Sequence, residues 1–475
     1  MTASRSILLL SLVFLLSLPA VTTRIYASDE IEYFSWLRSW TFDRDIDFEN
    51  EYRYFYDTGA AGNPAFHETF LEKTNEAGRR INFAPIGTAI LWAPFYAVGH
   101  VAALATGAPA NGLSAPYIAA VSYGSACYGF LAVLISAAIA RRIVGRGLGA
   151  AIAVWIGTPL VYYMYITPPF SHACSAFAVA LFLYVWLRVR ERWTIGGVAL
   201  LALTGALMAM VREQDLFFVA GPAVDFVRHW ALGTRDAGTR HSALGTFRTV
   251  LARVLVAAAV FALAYAPQVL SYYALNGRPR PTELVERKMA WTSPHALEVL
   301  FSPEHGLFAW TPLAVLAIAG VVILALGRVR AAAPDARWIG VVALVMIAAQ
   351  VYVTGAVESW TLAGSFGQRR FIALTPLLTL GLAVLLKTSG VVFANTREKT
   401  TPDVFRRVAL AAAVVLCIWW NAGLIAQFGL HLMDRQRLTL RENAWNTFVV
   451  LPREAPGIVI RYFTDRSSFY GLPRR

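Results

Sequence analysis

Three carboxylates crowd the string Ser28-Asp29-Glu30-Ile31-Glu32-Tyr33, directly after the first apolar run of the chain at 7–23. A carboxylate at the edge of hydrocarbon must stay wet, be paired or react. One held within reach of an acceptor hydroxyl or amine can take its proton as the acceptor attacks carbon, the work of a general base. The same string suits a second role, because Ser28 or Asp29 can cap a helix that begins at Ile31. The acids open a stretch, 24–84, that holds twelve Asp or Glu against seven Lys or Arg, although the whole chain carries a net +13.

Four further clusters have side chains with chemical potential. In Asp43-Arg44-Asp45-Ile46-Asp47-Phe48-Glu49 the acids alternate. An EF-hand needs Gly at its sixth position and Glu at its twelfth, and Phe48 and Tyr54 stand there instead. That leaves a solvated turn, or an acidic pair holding a divalent metal. Arg212-Glu213-Gln214-Asp215 places four polar residues between apolar neighbours, where they must pair or bind something; an Arg212–Asp215 pair fixing the turn is one solution. Glu304 and His305, before Trp310, are candidates to meet an acceptor, with Trp310 as an interfacial anchor. Nearby Arg278, Arg280, Arg287 and Lys288 read as surface charge or as contacts for anionic headgroups. Last, Gly364-Ser365-Phe366-Gly367-Gln368 leads into Arg369-Arg370. No nucleotide-binding glycine pattern occurs.

The elements that position these residues are membrane helices. The chain has 475 residues, 57% hydrophobic and 15% charged, against roughly 25% charged in soluble domains. Apolar runs long enough to cross ~30 Å of hydrocarbon fall near 7–23, 116–139, 148–165, 171–187, 195–211, 250–271, 309–327, 338–355, 371–386 and 408–427, with a shorter one at 216–227. Arginine-rich clusters bound them: Arg141/Arg142/Arg146, Arg188/Arg190/Arg192, Arg228/Arg235/Arg240/Arg248, Arg328/Arg330/Arg337 and Lys387/Arg397/Lys399/Arg406/Arg407. The positive-inside rule makes these cytoplasmic. The basic charge is thus topology information and not a nucleic-acid signal. The N-terminus is then inside, the tail outside, and all the clusters with chemical potential face outward. Arg369-Arg370 breaks the charge rule, and an outward arginine pair at a span entrance calls for an anionic ligand, most naturally a lipid-linked phosphate.

The run 86–105 is apolar enough to cross, yet crossing would invert every later cluster. Pro85, Gly87, Pro94 and Gly99 also weaken a clean helix there, so it is expected at the outer interface or as a shallow re-entrant element. The expected fold is all-α and polytopic, with about eleven transmembrane helices over 1–427, a first outer loop at 24–115 carrying juxtamembrane helices, and a small outer tail at 428–475. The start of the chain is read as a retained helix, not a cleaved signal peptide. Cys127, Cys174 and Cys417 lie in or beside apolar runs and make neither a disulfide framework nor a zinc pattern.

One span, an immediate Asp-Glu, a long outer loop and the string Asn82-Phe83-Ala84-Pro85-Ile86-Gly87 followed by Pro94-Phe95 resemble the GT-C glycosyltransferases of the protein O-mannosyltransferase and aminoarabinose-transferase type. The resemblance covers roughly 1–220 and thins beyond. It implies a GT-C-like bundle in the inner or plasma membrane that transfers a sugar from a polyprenyl-phosphate donor to an outer-face glycan, lipid or protein acceptor, with inversion. It implies Asp29 as base, beside Glu30. Asn82 stands where the family pattern has a Lys for the lipid phosphate, so Arg212, Arg369 and Arg370 are the candidates to replace that charge. Thr167-Pro168-Pro169-Phe170-Ser171-His172 stands where relatives carry a further acid, and His172 would orient the acceptor or touch phosphate. Asn82, Glu304 and His305 complete the expected substrate side. No cofactor is expected; a divalent metal is optional and nucleic acid has no part. The competing classes are a lipid or small-molecule transporter or flippase, which would place ionisable groups near the midplane, and a non-catalytic envelope-assembly protein.

Overall fold

Hydrocarbon offers no water to a bare peptide group, so apolar runs of this length satisfy their backbone internally as helices. In the computed structural model, which describes residues 3–236, 240–362, 364–388 and 401–469, helices dominate. They are α1 (Ala3–Ser17), α2 (Ser28–Arg38), α3 (Glu49–Asp57), α4 (Gly87–Thr106), α5 (Ala115–Val144), α6 (Leu148–Gly157), α7 (Leu160–Tyr165), α8 (His172–Val189), α9 (Ile195–Val211) and α10 (Ala220–Asp236). There follow α11 (Arg240–Asn276), α12 (Glu283–Glu286), α13 (Glu298–Phe301), α14 (Leu307–Trp310), α15 (Leu313–Ala325), α16 (Ala336–Gly355), α17 (Thr375–Thr388), α18 (Thr401–Gly429), α19 (Leu440–Trp445) and α20 (Leu451–Thr464). Among the described residues there is no strand, and Thr74 and Arg80 form an isolated bridge.

Among the described residues seven helices are long and apolar enough to cross a membrane, and four shorter ones are apolar: 7–20, 148–157, 195–211 and 313–325. The protein is all-α and polytopic. Three expectations about individual runs need correction. The run 148–165 is not one span: Pro159 lies in a break between α6 and α7, as a residue without an N–H inside a helix should. The run 216–227 is divided between a 3-10 stretch, Glu213–Val219, and α10. The third is α4, expected at the interface or as a re-entrant element: it is a continuous helix of 20 residues despite Pro94 and two glycines, and is itself long and apolar enough to cross a membrane. Arg397 and Lys399 of the last basic cluster lie outside the described residues.

The chain forms two compact units. Unit I comprises Met1–Ala20, Val133–Tyr162 and Ala290–Arg475. Its core is the contact of α15 with α17, where a Cβ on Gly320 would run into the Gly381 backbone and one on Gly381 into Ala317. Small residues that let helix backbones meet are the usual glue of apolar bundles. The Asn421 amide donates to the carbonyls of Ile156 (2.9 Å) and Thr158 (3.1 Å), satisfying groups that the α6–α7 break leaves open. The tail belongs to this unit: Gln427 on α18 bonds Asn443 and Thr447, and the Tyr462 hydroxyl donates to the Ala20 carbonyl at 2.8 Å.

Unit II comprises Val21–Ala132 and Tyr163–Met289. The helices α8 and α9 form a hairpin against which α11 packs. The first loop folds as an aromatic-cored cap: Trp36 donates to the Ala84 carbonyl (2.9 Å), Tyr52 to the Ile81 carbonyl (2.9 Å), and Phe34, Phe48, Phe55 and Phe66 are fully buried. Gly87, at the start of α4, abuts the backbone of Met210 and Val211, the last residues of α9. From there α4 runs antiparallel to the first half of α5, with Trp92 on Ser125 (2.8 Å) and Gly99 against Pro116 and Tyr117.

Candidate active site

The first turn of α2 decides which of its acids is available. Ala27 at the cap position is extended and has no side chain to bond the open N–H groups. Glu30, three residues on, does so instead: its Oε2 accepts from Tyr26 N–H (2.7 Å) and Ala27 N–H (2.9 Å). That is the returning half of a capping box, and it corrects the expectation that Ser28 or Asp29 caps a helix beginning at Ile31. Burial pushes the Glu30 carboxyl up to about 7, against the pull of those two N–H groups. Glu32 is also buried, accepts from Phe83 N–H at 2.6 Å, and is held well above the usual carboxylate range by burial and by Asp29. Asp29 itself stays half-buried. Glu30 and Glu32 are buried and bonded to backbone N–H groups, and Asp29 is the half-buried acid of this turn.

One turn along the same face, Tyr33 is buried, and burial pushes its phenol up to about 12 while Arg212 pulls it down and Ser171 bonds it. Ser171 precedes α8, and the next residue, His172, contacts Arg212: the guanidinium meets the imidazole Nδ1 and also donates to Gln214 Oε1 at 3.1 Å. The ring of His172 stacks on Phe170 and meets Tyr163 edge-on, with centroids 5.7 and 4.6 Å away. Arg212 does not close on Asp215, as the turn-fixing alternative required. Asp215 accepts from the Ser175 hydroxyl at 2.6 Å, and burial raises it to about 6 against the pull of Arg212. Glu213 accepts from the Tyr272 hydroxyl of α11 and is raised by burial. An acid, a phenol, an imidazole and a guanidinium, from α2, the start of α8 and the end of α9, thus act on one another within unit II.

Asn82 is buried and structural. Its amide donates to the Glu32 carbonyl (3.1 Å) and its oxygen accepts from Ala84 N–H (2.9 Å), tying 82–84 to α2. The alternating acids are similarly occupied: Asp43 and Glu51 share Arg38, and Glu49 bonds Arg53 (2.6 Å) and Arg80 (3.0 Å). Among the described residues no three His, Cys, Asp or Glu gather as metal ligands.

The other candidates lie in unit I. His305 is 0% exposed, lies flat on Trp310 with centroids 4.5 Å apart, and donates from Nε2 to the Ser365 carbonyl at 2.8 Å. Burial holds its pKa below the ordinary histidine range. It therefore ties the turn around 303–306 to Ser365. Trp310 is 1% exposed and donates to the Pro303 carbonyl at 3.1 Å, so it belongs to the core and not to an interfacial belt. Glu304 is half-buried. Arg370 turns its fork onto Ser359, at 3.1 Å to the carbonyl and 3.3 Å to the hydroxyl, while the charge of Arg369 acts on His305.

The group at this site that sequence reasoning did not single out is Tyr33. The spacing of four between Asp29 and Tyr33 was the available signal, since it puts both on one helix face.

No family model matches this sequence and no curated protein is a significant match. Among solved structures, the chain is similar to ArnT from Cupriavidus metallidurans in the apo state, at 14% identity and a TM-score of 0.44, over 98% of this chain and 78% of that one. A likeness at that level is loose, and the chemistry of this chain rests on its own residues.

Proposed function

We propose that the protein is a multi-pass membrane glycosyltransferase of the GT-C kind, moving a sugar from a polyprenyl-phosphate donor to an acceptor at the outer face. The observation that carries this reading is the placement of Asp29: half-buried, followed by two acids bonded to backbone N–H groups, and in the same electrostatic neighbourhood of Tyr33 as Arg212. In the proposed step Asp29 takes the proton of the acceptor hydroxyl or amine. The acceptor atom bonds the anomeric carbon, the bond from that carbon to the phosphate oxygen breaks, and the electron pair leaves with the phosphate. Arg212 stabilises that charge, since a guanidinium forks onto phosphate oxygens. His172 holds Arg212 and faces the acceptor side. Arg369 is proposed as a further anion contact, in unit I. The polar side chains gather at one end of the α8–α9 hairpin, which favours this reading over a transport path.

The test is turnover of purified protein in proteoliposomes with polyprenyl-phosphate sugars. Asp29→Asn keeps the shape and removes the proton acceptor, so transfer should fall by roughly 10²–10⁴-fold while donor binding persists. Wild-type turnover in that variant would remove Asp29 from the reaction.

A further inference from the structure

The loop after α11 carries four cations, Arg278, Arg280, Arg287 and Lys288, within eleven residues. Three have carboxylate partners. Arg278 lies 3.8 Å from Glu76, 3.5 Å from Glu283 and 3.7 Å from Glu286. Arg280 lies 3.4 Å from Glu286, and Arg287 is 2.8 Å from Glu283. Among the described residues Lys288 makes no such pair. Its ammonium instead stands 5.7 Å from the centroid of the Phe83 ring, and Lys288 is exposed. Phe83 is no arbitrary neighbour: its backbone N–H is the donor to Glu32, and the adjacent Asn82 ties the same segment to α2.

We infer that Lys288 is a phosphate-contacting residue of the α2 site, reaching over Phe83 to the phosphate of a lipid bound there. The inference rests on the function proposed above and names a second cation for its substrate. An ammonium on a flexible four-carbon stem suits a mobile anion better than a fixed ion pair does. The neighbouring carboxylate, Glu32, feels the charge of Lys288 but forms no ion pair with it, which leaves the ammonium's direct hydrogen bonds open. An aromatic face under the cation holds it in place without neutralising it. The three arginines around it are locked into the loop by Glu76, Glu283 and Glu286, so they set the position of Lys288 and do not compete for the ligand.

The experiment titrates undecaprenyl phosphate into the full-length protein in phosphatidylcholine nanodiscs, and in a second arm measures enrichment of phosphatidylglycerol around it. Lys288→Gln should weaken undecaprenyl phosphate binding about tenfold, the scale of one hydrogen bond to a charged group. Arg287→Gln, which removes only the Glu283 pair, should leave it unchanged. Loss of phosphatidylglycerol enrichment alone in Lys288→Gln would support the phosphate contact with a headgroup as its source, and would count against the donor reading. If the wild type binds undecaprenyl phosphate and Lys288→Gln matches it in both arms, the inference on Lys288 is overturned and the proposed function stands. If the wild type responds in neither arm, both fall.

Discussion

Arg212 and His172, forty residues apart in sequence, meet guanidinium to imidazole at the start of α8. An arginine has only donors to offer, so the contact favours the tautomer of His172 in which Nδ1 is the acceptor. The pair is therefore one device: the histidine fixes the fork of the arginine, and the arginine favours one tautomer of the histidine. The phosphate side and the acceptor side, assigned separately from the sequence, share this contact.

That dependence is testable by shape. His172→Asn keeps an acceptor near the Nδ1 position and should retain most donor affinity. His172→Phe keeps the ring stacked on Phe170 but removes the acceptor, and should weaken donor binding about tenfold, the scale of a lost charge-assisted bond. Equal affinity for the two variants, measured by titration in nanodiscs, would separate Arg212 from the phosphate.

Glu30 makes a prediction about pH. Its carboxyl is raised from 4.5 to about 7 by burial, so between those values the folded state binds more protons than the unfolded one. Stability must then fall as pH rises through that window. Glu30→Gln keeps an oxygen for the N–H groups of Tyr26 and Ala27 and cannot ionise. Thermal unfolding in detergent at pH 5 and pH 8 should show a smaller loss for the variant than for the wild type. An unchanged difference would mean that other groups, with Glu32 (held well above the carboxylate range), Glu51 (about 7) and Asp215 (about 6) first among them, account for the slope.

Asn421 is the test of the α6–α7 break. With the Ile156 and Thr158 carbonyls dependent on its amide, Asn421→Leu strands buried acceptors and should cost about 1–3 kcal/mol. Thermal unfolding of the purified variant measures it, and a loss well below that range would mean that the carbonyls find other donors.

The two arginines of unit I should behave differently. Arg370→Ala frees Ser359 and should speed hydrogen exchange in 356–370 with little effect on donor affinity. Arg369→Ala should lower donor affinity severalfold, on the scale of a single partly exposed charge contact. The reverse pattern would assign the anion contact to Arg370.

The sequence by itself determined the class of the protein, because apolar run length and low charge leave helices as the only economical backbone in a membrane. It also marked Asp29, Arg212 and His172, since polar residues at the ends of apolar runs need a reason to be there. What it left open were questions of partnership. The strings around Glu30, Asn82 and His305 look as reactive as Asp29 when read in line, and only the fold shows them committed to backbone groups of their surroundings. The break at Pro159 was visible as a proline, but its tolerance depends on Asn421, more than 250 residues away. The difference among Arg278, Arg280, Arg287 and Lys288 likewise needed tertiary structure: composition counts charges, and only distance says which are already neutralised.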